Sequence, residues 1–188
     1  MAHDEQIDFC KKIKIKFPEY FKNKKVLDAG SLDINGNNRY LFDNCEYTGI
    51  DIGPGKNVDI VIPIHLYKSD IQYDFIVSTE CFEHDMYYKE SFKNILSLLK
   101  SRGMFMFTCA TTGRDEHGTT RTSPQNSPLT SISTEEKWKN YYHNISEKDL
   151  KESLDLTRFS DYYIDEHHEV KSAPLRFIND LYFWGIKK

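Results

Sequence analysis

Asp28 and Gly30 close one short apolar run, Val26-Leu27-Asp28-Ala29-Gly30, and Asp51 closes another, Tyr47-Thr48-Gly49-Ile50-Asp51. A glycine at a strand tip lets the backbone come close to a ligand. An acid about 20 residues further on takes ribose hydroxyls in nucleotide-binding sheets. One carboxylate can accept from both hydroxyls of a diol. Both positions fall at carboxyl ends of strands, where open α/β sheets bind their ligands. Together they point to a nucleoside-containing ligand. A dinucleotide fits badly, because Leu32 stands where G-x-G-x-x-G needs its second glycine. Asp33 also brings a negative charge to the place where pyrophosphate would meet a helix N-terminus. The run therefore disfavours an NAD-dependent oxidoreductase.

The elements that must position these residues follow from periodicity. Ile7, Cys10, Ile13, Ile15 and Phe17 mark an amphipathic helix over residues 5–22, which Pro18 interrupts. Strands are expected over residues 25–30, 47–52, 58–62 and 73–79, with a short helix at Asn37–Phe42. Phe92, Ile95, Leu96, Leu98 and Leu99 give a helical stripe over residues 88–100, closed by Ser101-Arg102-Gly103. Met104 to Ala110 is apolar on both faces, as a strand buried in a parallel sheet must be. Ser146 N-caps a further helix with Asp149 in its third position. Residues 162–166 and 181–186 read as two closing strands that pair antiparallel at the sheet edge. Strands alternating with helices predict an α/β, doubly wound, mostly parallel seven-stranded sheet with an antiparallel edge strand.

Between these parts lies a polar segment, residues 111–145, rich in Ser, Thr, Tyr and His. Loops longer than about 12–15 residues are usually functional, and this one is expected to cover the substrate. The whole chain, 1–188, reads as one domain. Its net charge of −4 argues against nucleic acid as a partner, since phosphate-backbone affinity comes from Lys and Arg. No apolar run approaches the roughly 20 residues of a membrane span. The four cysteines are widely spaced with no C-x-x-C pair, which argues against a zinc site. With a polar, acidic N-terminus, they suggest reduced thiols and a cytoplasmic location. Asp165-Glu166-His167-His168-Glu169 would alternate faces on a strand, so no metal is expected there.

The chain resembles the class I S-adenosylmethionine (SAM)-dependent methyltransferases, in the broad group of small stand-alone members. The carrying residues are Val26 to Gly30, Tyr47 to Asp51, Tyr73 to His84, and Leu99 to Phe105. The resemblance implies SAM as cofactor and S-adenosylhomocysteine (SAH) as product. It sets the cofactor on Asp28, Ala29, Gly30 and Ser31, with Gly30 lining the methionine part and Asp28 holding its amino group. Asp51 takes the ribose and Ile52 packs on adenine. The family's acid after the third strand is missing here; Pro63 stands near that place, so backbone around Ile64 or the His65 ring must serve. Glu80 faces the sulfonium side, and Glu83-His84 resembles a Glu-His pair common in the group. His84 is one candidate catalytic base, since imidazole titrates near neutral pH. His117 is the second.

Arg114 and Arg121 are candidates for holding an acidic acceptor, with local salt bridges to Asp115 or Glu116 as the plainer reading. Tyr141 and Tyr142, with Trp138 and His143, could form an aromatic lid, with packing on the sheet edge as the plainer reading. The expected acceptor is a small molecule methylated on oxygen or nitrogen. Protein or RNA methylation by the same fold and a non-catalytic SAM-binding module are the rival readings.

Overall fold

The computed structural model describes residues 4–172 and 175–188. Seven strands, β1 (Lys25–Ala29), β2 (Glu46–Asp51), β3 (Ile60–Val61), β4 (Tyr73–Thr79), β5 (Leu99–Ala110), β6 (Phe159–Ser172) and β7 (Leu175–Lys187), form one sheet in the order β3-β2-β1-β4-β5-β7-β6. The first five are parallel. β7 is antiparallel to β5, and β6 pairs antiparallel with β7 outside it. The expected sheet is present, and its antiparallel element is β7, one strand in from the edge. Strand order reverses between β1 and β4, which opens a crevice at their carboxyl ends.

Alternation along each strand builds two cores. Val26, Phe75, Val77, Met104 and Met106 face Phe9, Cys10 and Ile13 of α1 (Asp4–Lys16). Leu27, Ile76, Phe105, Phe107 and Phe183 face the opposite side, under Phe92 and Ile95 of α2 (Tyr88–Leu98). Two single-turn helices follow, α3 (Pro128–Ser131) and α4 (Glu136–Lys139), and then α5 (Glu147–Ser153). The α5 N-terminus carries the expected Ser146 cap, with Asp149 closing a reciprocal capping box.

Several boundaries differ from the sequence reading. α1 stops at Lys16, and a 3-10 turn over Pro18–Phe21 replaces the rest of the expected helix. The helix expected at Asn37–Phe42 is only a 3-10 turn, Arg39–Leu41. β3 keeps two residues of the expected 58–62 run. Gly103 does not stop α2: the chain turns extended at Leu99, directly into β5, and the positive φ of 62° belongs to Arg102. Gly103 serves close packing instead, since a Cβ there would stand 2.9 Å from the Lys100 carbonyl oxygen. The β6–β7 hairpin is longer than its apolar signal, because much of β6 is solvent-exposed and polar. No α-helix occupies residues 30–45 or 52–59, so both strand tips that form the crevice depend on side-chain hydrogen bonds for their shape. Among the described residues, no helix is long and apolar enough to cross a membrane.

Candidate functional site

The crevice between β1 and β4 is an open cleft of about 870 Å³, counting its mouth. Asp28, Gly30, Ser31, Asp51, Ile52, Ile64 and Glu80 line it, as the sequence reading expected. Asp28 is buried on β1 beside β2, where the Tyr47 hydroxyl donates to its Oδ2 at 2.6 Å and Asn57 Nδ2 at 3.2 Å. Oδ1 has no donor among the described residues. Burial raises the Asp28 pKa to about 6, against the pull of Tyr47 and Asn57. Asp51 accepts from the backbone N–H of Leu32 at 2.9 Å and of Ile52 at 2.7 Å. Its carboxylate therefore pins the loop after β1, and its remaining lone pairs stay available to a diol. Burial raises its pKa too, and those two amides oppose the shift.

The loop after β1 has an organiser that the sequence reading missed. Asn57, at φ 72°, donates to the Ser31 carbonyl oxygen at 2.9 Å, and Ser31 Oγ donates back to the Asn57 carbonyl oxygen at 3.0 Å. This pair lies over Gly49, where a Cβ would meet the Asn57 carbonyl oxygen at 2.1 Å. Asp33, expected as a repulsive charge in the site, pairs with Lys56 at 2.8 Å and accepts from Gly36 and Asn37. It holds the loop together outside the cleft lining. Gly30 has φ 82°, and a Cβ there would stand 2.3 Å from Cys81 Sγ. Glycine is therefore required twice over, by conformation and by space.

The tip of β4 is strained. Glu80 holds φ 51°, a left-handed conformation that costs a non-glycine residue about 1–2 kcal/mol. Burial, with the neighbouring Glu83 carboxylate, raises the Glu80 pKa. His84 also lines the cleft, on the short turn Phe82–His84. Burial and the adjacent His117 press its pKa down to about 3, so the ring is neutral at ordinary pH. Glu83 is fully buried, and burial lifts its pKa to about 7. The nearby amides of Glu83 and Ala110 pull the other way without reaching hydrogen-bond geometry.

The polar insert completes both ends of the cleft. Its residues 126–130, together with Trp138, line the cleft. Trp138 Nε1 donates to the His84 carbonyl oxygen at 2.7 Å, and Tyr87 donates to Glu135 at 2.8 Å. The earlier part of the insert returns to His84. The His117 ring centroid lies 5.1 Å from that of His84, and the Tyr142 ring packs tilted on His84 and edge-on to His117. The two candidate bases are thus brought together, with Glu83 beside them.

The remaining expectations fare unevenly. Ala29, Pro63 and His65 are close in the chain but do not line the cleft. Ala29 points into the core, Pro63 caps the Ile64–Leu66 turn, and the His65 ring packs on Tyr87 at 4.2 Å. Arg114 is committed to buried Asp180 at 3.0 Å, a partner far away in sequence. Arg121 pairs with Glu116 at 3.0 Å and donates to the Asn140 carbonyl oxygen, outside the cleft lining. Tyr141 is also outside it, and Tyr142 donates to the Asp115 carbonyl oxygen. In the 165–169 stretch, His167 and His168 face different neighbours, Asp165 and Asn179. The side chains that do converge are Glu83, His84 and His117, each offering a donor atom within 4.8 Å of the others.

No family model and no curated protein sequence matches this chain. Its fold is similar to solved methyltransferases. One is the 1,6-didemethyltoxoflavin-N1-methyltransferase of Burkholderia thailandensis with SAH and 1,6-didemethyltoxoflavin bound. It is 16% identical, with 93% of this chain and 75% of that one covered, at TM-score 0.60. A second is the Haemonchus contortus phosphoethanolamine N-methyltransferase 2 with SAH and phosphomonomethylethanolamine, 14% identical at TM-score 0.59. There 94% of this chain covers 52% of the other, so this chain spans about half its length. A third is the N-methyltransferase NodS of Bradyrhizobium japonicum WM9 with SAH, 12% identical, 99% and 89% covered, at TM-score 0.58. The architecture is the Rossmann-like methyltransferase fold.

Proposed function

We propose that this protein is a SAM-dependent methyltransferase acting on a small molecule and releasing SAH. One observation carries the reading: Asp28 and Asp51, at the tips of adjacent parallel strands, share a single cleft at the point where strand order reverses. Asp28 would hold the methionine ammonium, and Asp51 the ribose diol. Ile52 and Ile64 offer apolar surface for adenine, and Leu129 of the insert closes over them. The sulfonium then lies toward Glu80 and His84, which are both buried. The three SAH-bound neighbours agree with this reading. They methylate, by their names, small or nitrogen-bearing acceptors.

Methyl transfer from a sulfonium is an in-line displacement, and positioning alone can supply roughly 7–11 kcal/mol of its barrier. The insert would serve that end, because its residues 126–130 and Trp138 line the cleft. Four unpaired thiols favour a reducing compartment, the cytoplasm. Calorimetric titration of the whole chain with SAM tests the reading. Saturable binding with SAH as competitor is expected, and no heat at millimolar SAM would end it.

A further inference from the structure

We propose that Glu83, His84 and His117 bind a divalent first-row transition cation, and that this ion holds the oxygen of a hydroxyl acceptor. The acceptor clause rests on the methyltransferase reading above; the ion site does not.

The donor atoms lie within 4.8 Å of one another. Donors around a bound ion at about 2.0–2.2 Å stand about 3.4 Å apart, so the group must close by about an ångström. The parts that would move are side chains and one loop. Gly118 allows that loop close approach, since a Cβ there would stand 2.6 Å from His84 Cε1.

Two observations point to an ion. Glu83 is fully buried, yet among the described residues neither of its oxygens has a hydrogen-bond partner, and buried His84 Nδ1 has none. A buried carboxylate without a hydrogen-bond donor is costly to keep ionised, and a bound cation would offset that cost. Second, the ligands are already braced. His117 Nδ1 is 3.0 Å from the Asp115 carbonyl oxygen. A carbonyl can only accept, so Nδ1 carries the proton and Nε2 presents a lone pair. The backbone of the other two is held as well, by His143 N–H on the Glu83 carbonyl at 2.9 Å and by Trp138 on that of His84. Two imidazoles and one carboxylate suit Mn²⁺, Co²⁺ or Zn²⁺ better than Ca²⁺ or Mg²⁺, which prefer oxygen cages.

The site also selects its acceptor. His84 lines the cleft, so an ion on it would meet whatever approaches the transferable methyl. A bound amine would surrender to the ion the lone pair it needs for attack. A hydroxyl oxygen keeps lone pairs after coordination, and the ion lowers its pKa. Its O–H proton leaves to water. An oxygen lone pair forms the new O–CH₃ bond, and the CH₃–S bond breaks with its pair staying on sulfur. The positive sulfonium becomes a neutral thioether, and the released proton carries the charge.

The test is titration of the chelator-treated full chain with Co²⁺, followed by its visible absorption and by metal-to-protein stoichiometry. One Co²⁺ per chain is expected, with at least a tenfold weaker site in His117→Ala and in Glu83→Gln. Unchanged melting and SAM binding would show that the variants fold. Catechol should shift the Co²⁺ band of the wild type by entering the open position. Absence of Co²⁺ and Mn²⁺ binding below millimolar, or equal binding by His117→Ala, overturns the site. A band that catechol leaves unmoved overturns the acceptor clause. SAM calorimetry on the same samples separates these failures from failure of the cofactor reading.

Discussion

The two ends of the cleft satisfy their charges in opposite ways. At the tips of β1 and β2, every carboxylate already receives hydrogen bonds: Asp28 from Tyr47 and Asn57, Asp51 from two backbone amides, Asp33 from Gly36, Asn37 and Lys56. Beyond the tip of β4, among the described residues, Glu83 has no hydrogen-bond donor to either oxygen and His84 lacks a partner at Nδ1. The first end holds its carboxylates by the protein's own hydrogen bonds, which leaves it ordered for the cofactor proposed to bind there. The second holds unmet hydrogen-bonding demand, and that demand is what the proposed ion would satisfy. The missing helices after β1 and β2 explain the contrast. With no helix dipole to shape the first loop, side chains must do so, and they stay where they are needed.

The largest effect should come from Asp51→Ala. It leaves the Leu32 and Ile52 amides without their acceptor and the ribose without its anchor. Hydrogen bonds to a charged group are worth about 1.5–3 kcal/mol each, so SAM affinity should drop about 100-fold or more. Calorimetry reads it directly, alongside circular dichroism to confirm folding. A loss of less than about threefold, under 1 kcal/mol, would mean that the first end is not organised around this carboxylate.

A smaller effect sharpens the same contrast through pH. Asp28 titrates at about 6 in the folded chain, raised from 3.8 by burial. Folding therefore favours its protonated form. Its contribution to stability is full below 3.8 and is lost as pH rises through about 6. SAM binding has the opposite sign, because the ammonium needs the ionised carboxylate. Affinity should hold above pH about 7 and weaken up to tenfold per unit below about 6. Asp28→Asn should flatten both dependences. Melting temperature and SAM affinity, followed together from pH 5 to pH 8 in steps of about half a unit, distinguish these trends. Parallel trends would break the argument.

Much of the first end was legible in the sequence and little of the second. The apolar runs ending in Asp28 and Asp51 announce strands and acids, and both acids reached one cleft. Asn57 was hidden because its role depends on a positive φ and on Gly49 beneath it, neither of which leaves a periodic signal. His65 lies outside the cleft lining because its ring packs on Tyr87, a residue 22 positions on. In the second end, His84 and His117 were each readable as titratable residues. Their meeting with Glu83 depends on how residues 111–145 fold back, and polar segments without periodicity do not encode that visibly. Arg114 shows the same limit: its partner, Asp180, comes from the far hairpin.

The smallest effect concerns the outer rim of the insert. Arg121 is a candidate acceptor anchor in the sequence, but its guanidinium makes the alternative local salt bridge to Glu116 and meets the Asn140 carbonyl at a half-exposed surface. Exposed pairs of this kind contribute about 0–1 kcal/mol. Arg121→Ala should therefore lower the melting temperature by no more than about 2–4 °C, the shift that 1 kcal/mol produces in a domain of this size. SAM affinity should not change, since the residue lies outside the cleft lining. Once an acceptor is in hand, its KM should also stay within about twofold, equivalent to less than 0.5 kcal/mol. A tenfold rise in KM with unaltered melting would move the acceptor site outward, from the His84 end of the cleft to the rim. The contrast between a finished end and an unfinished one would then need a third region, in which Arg121 leaves Glu116 to meet an anion.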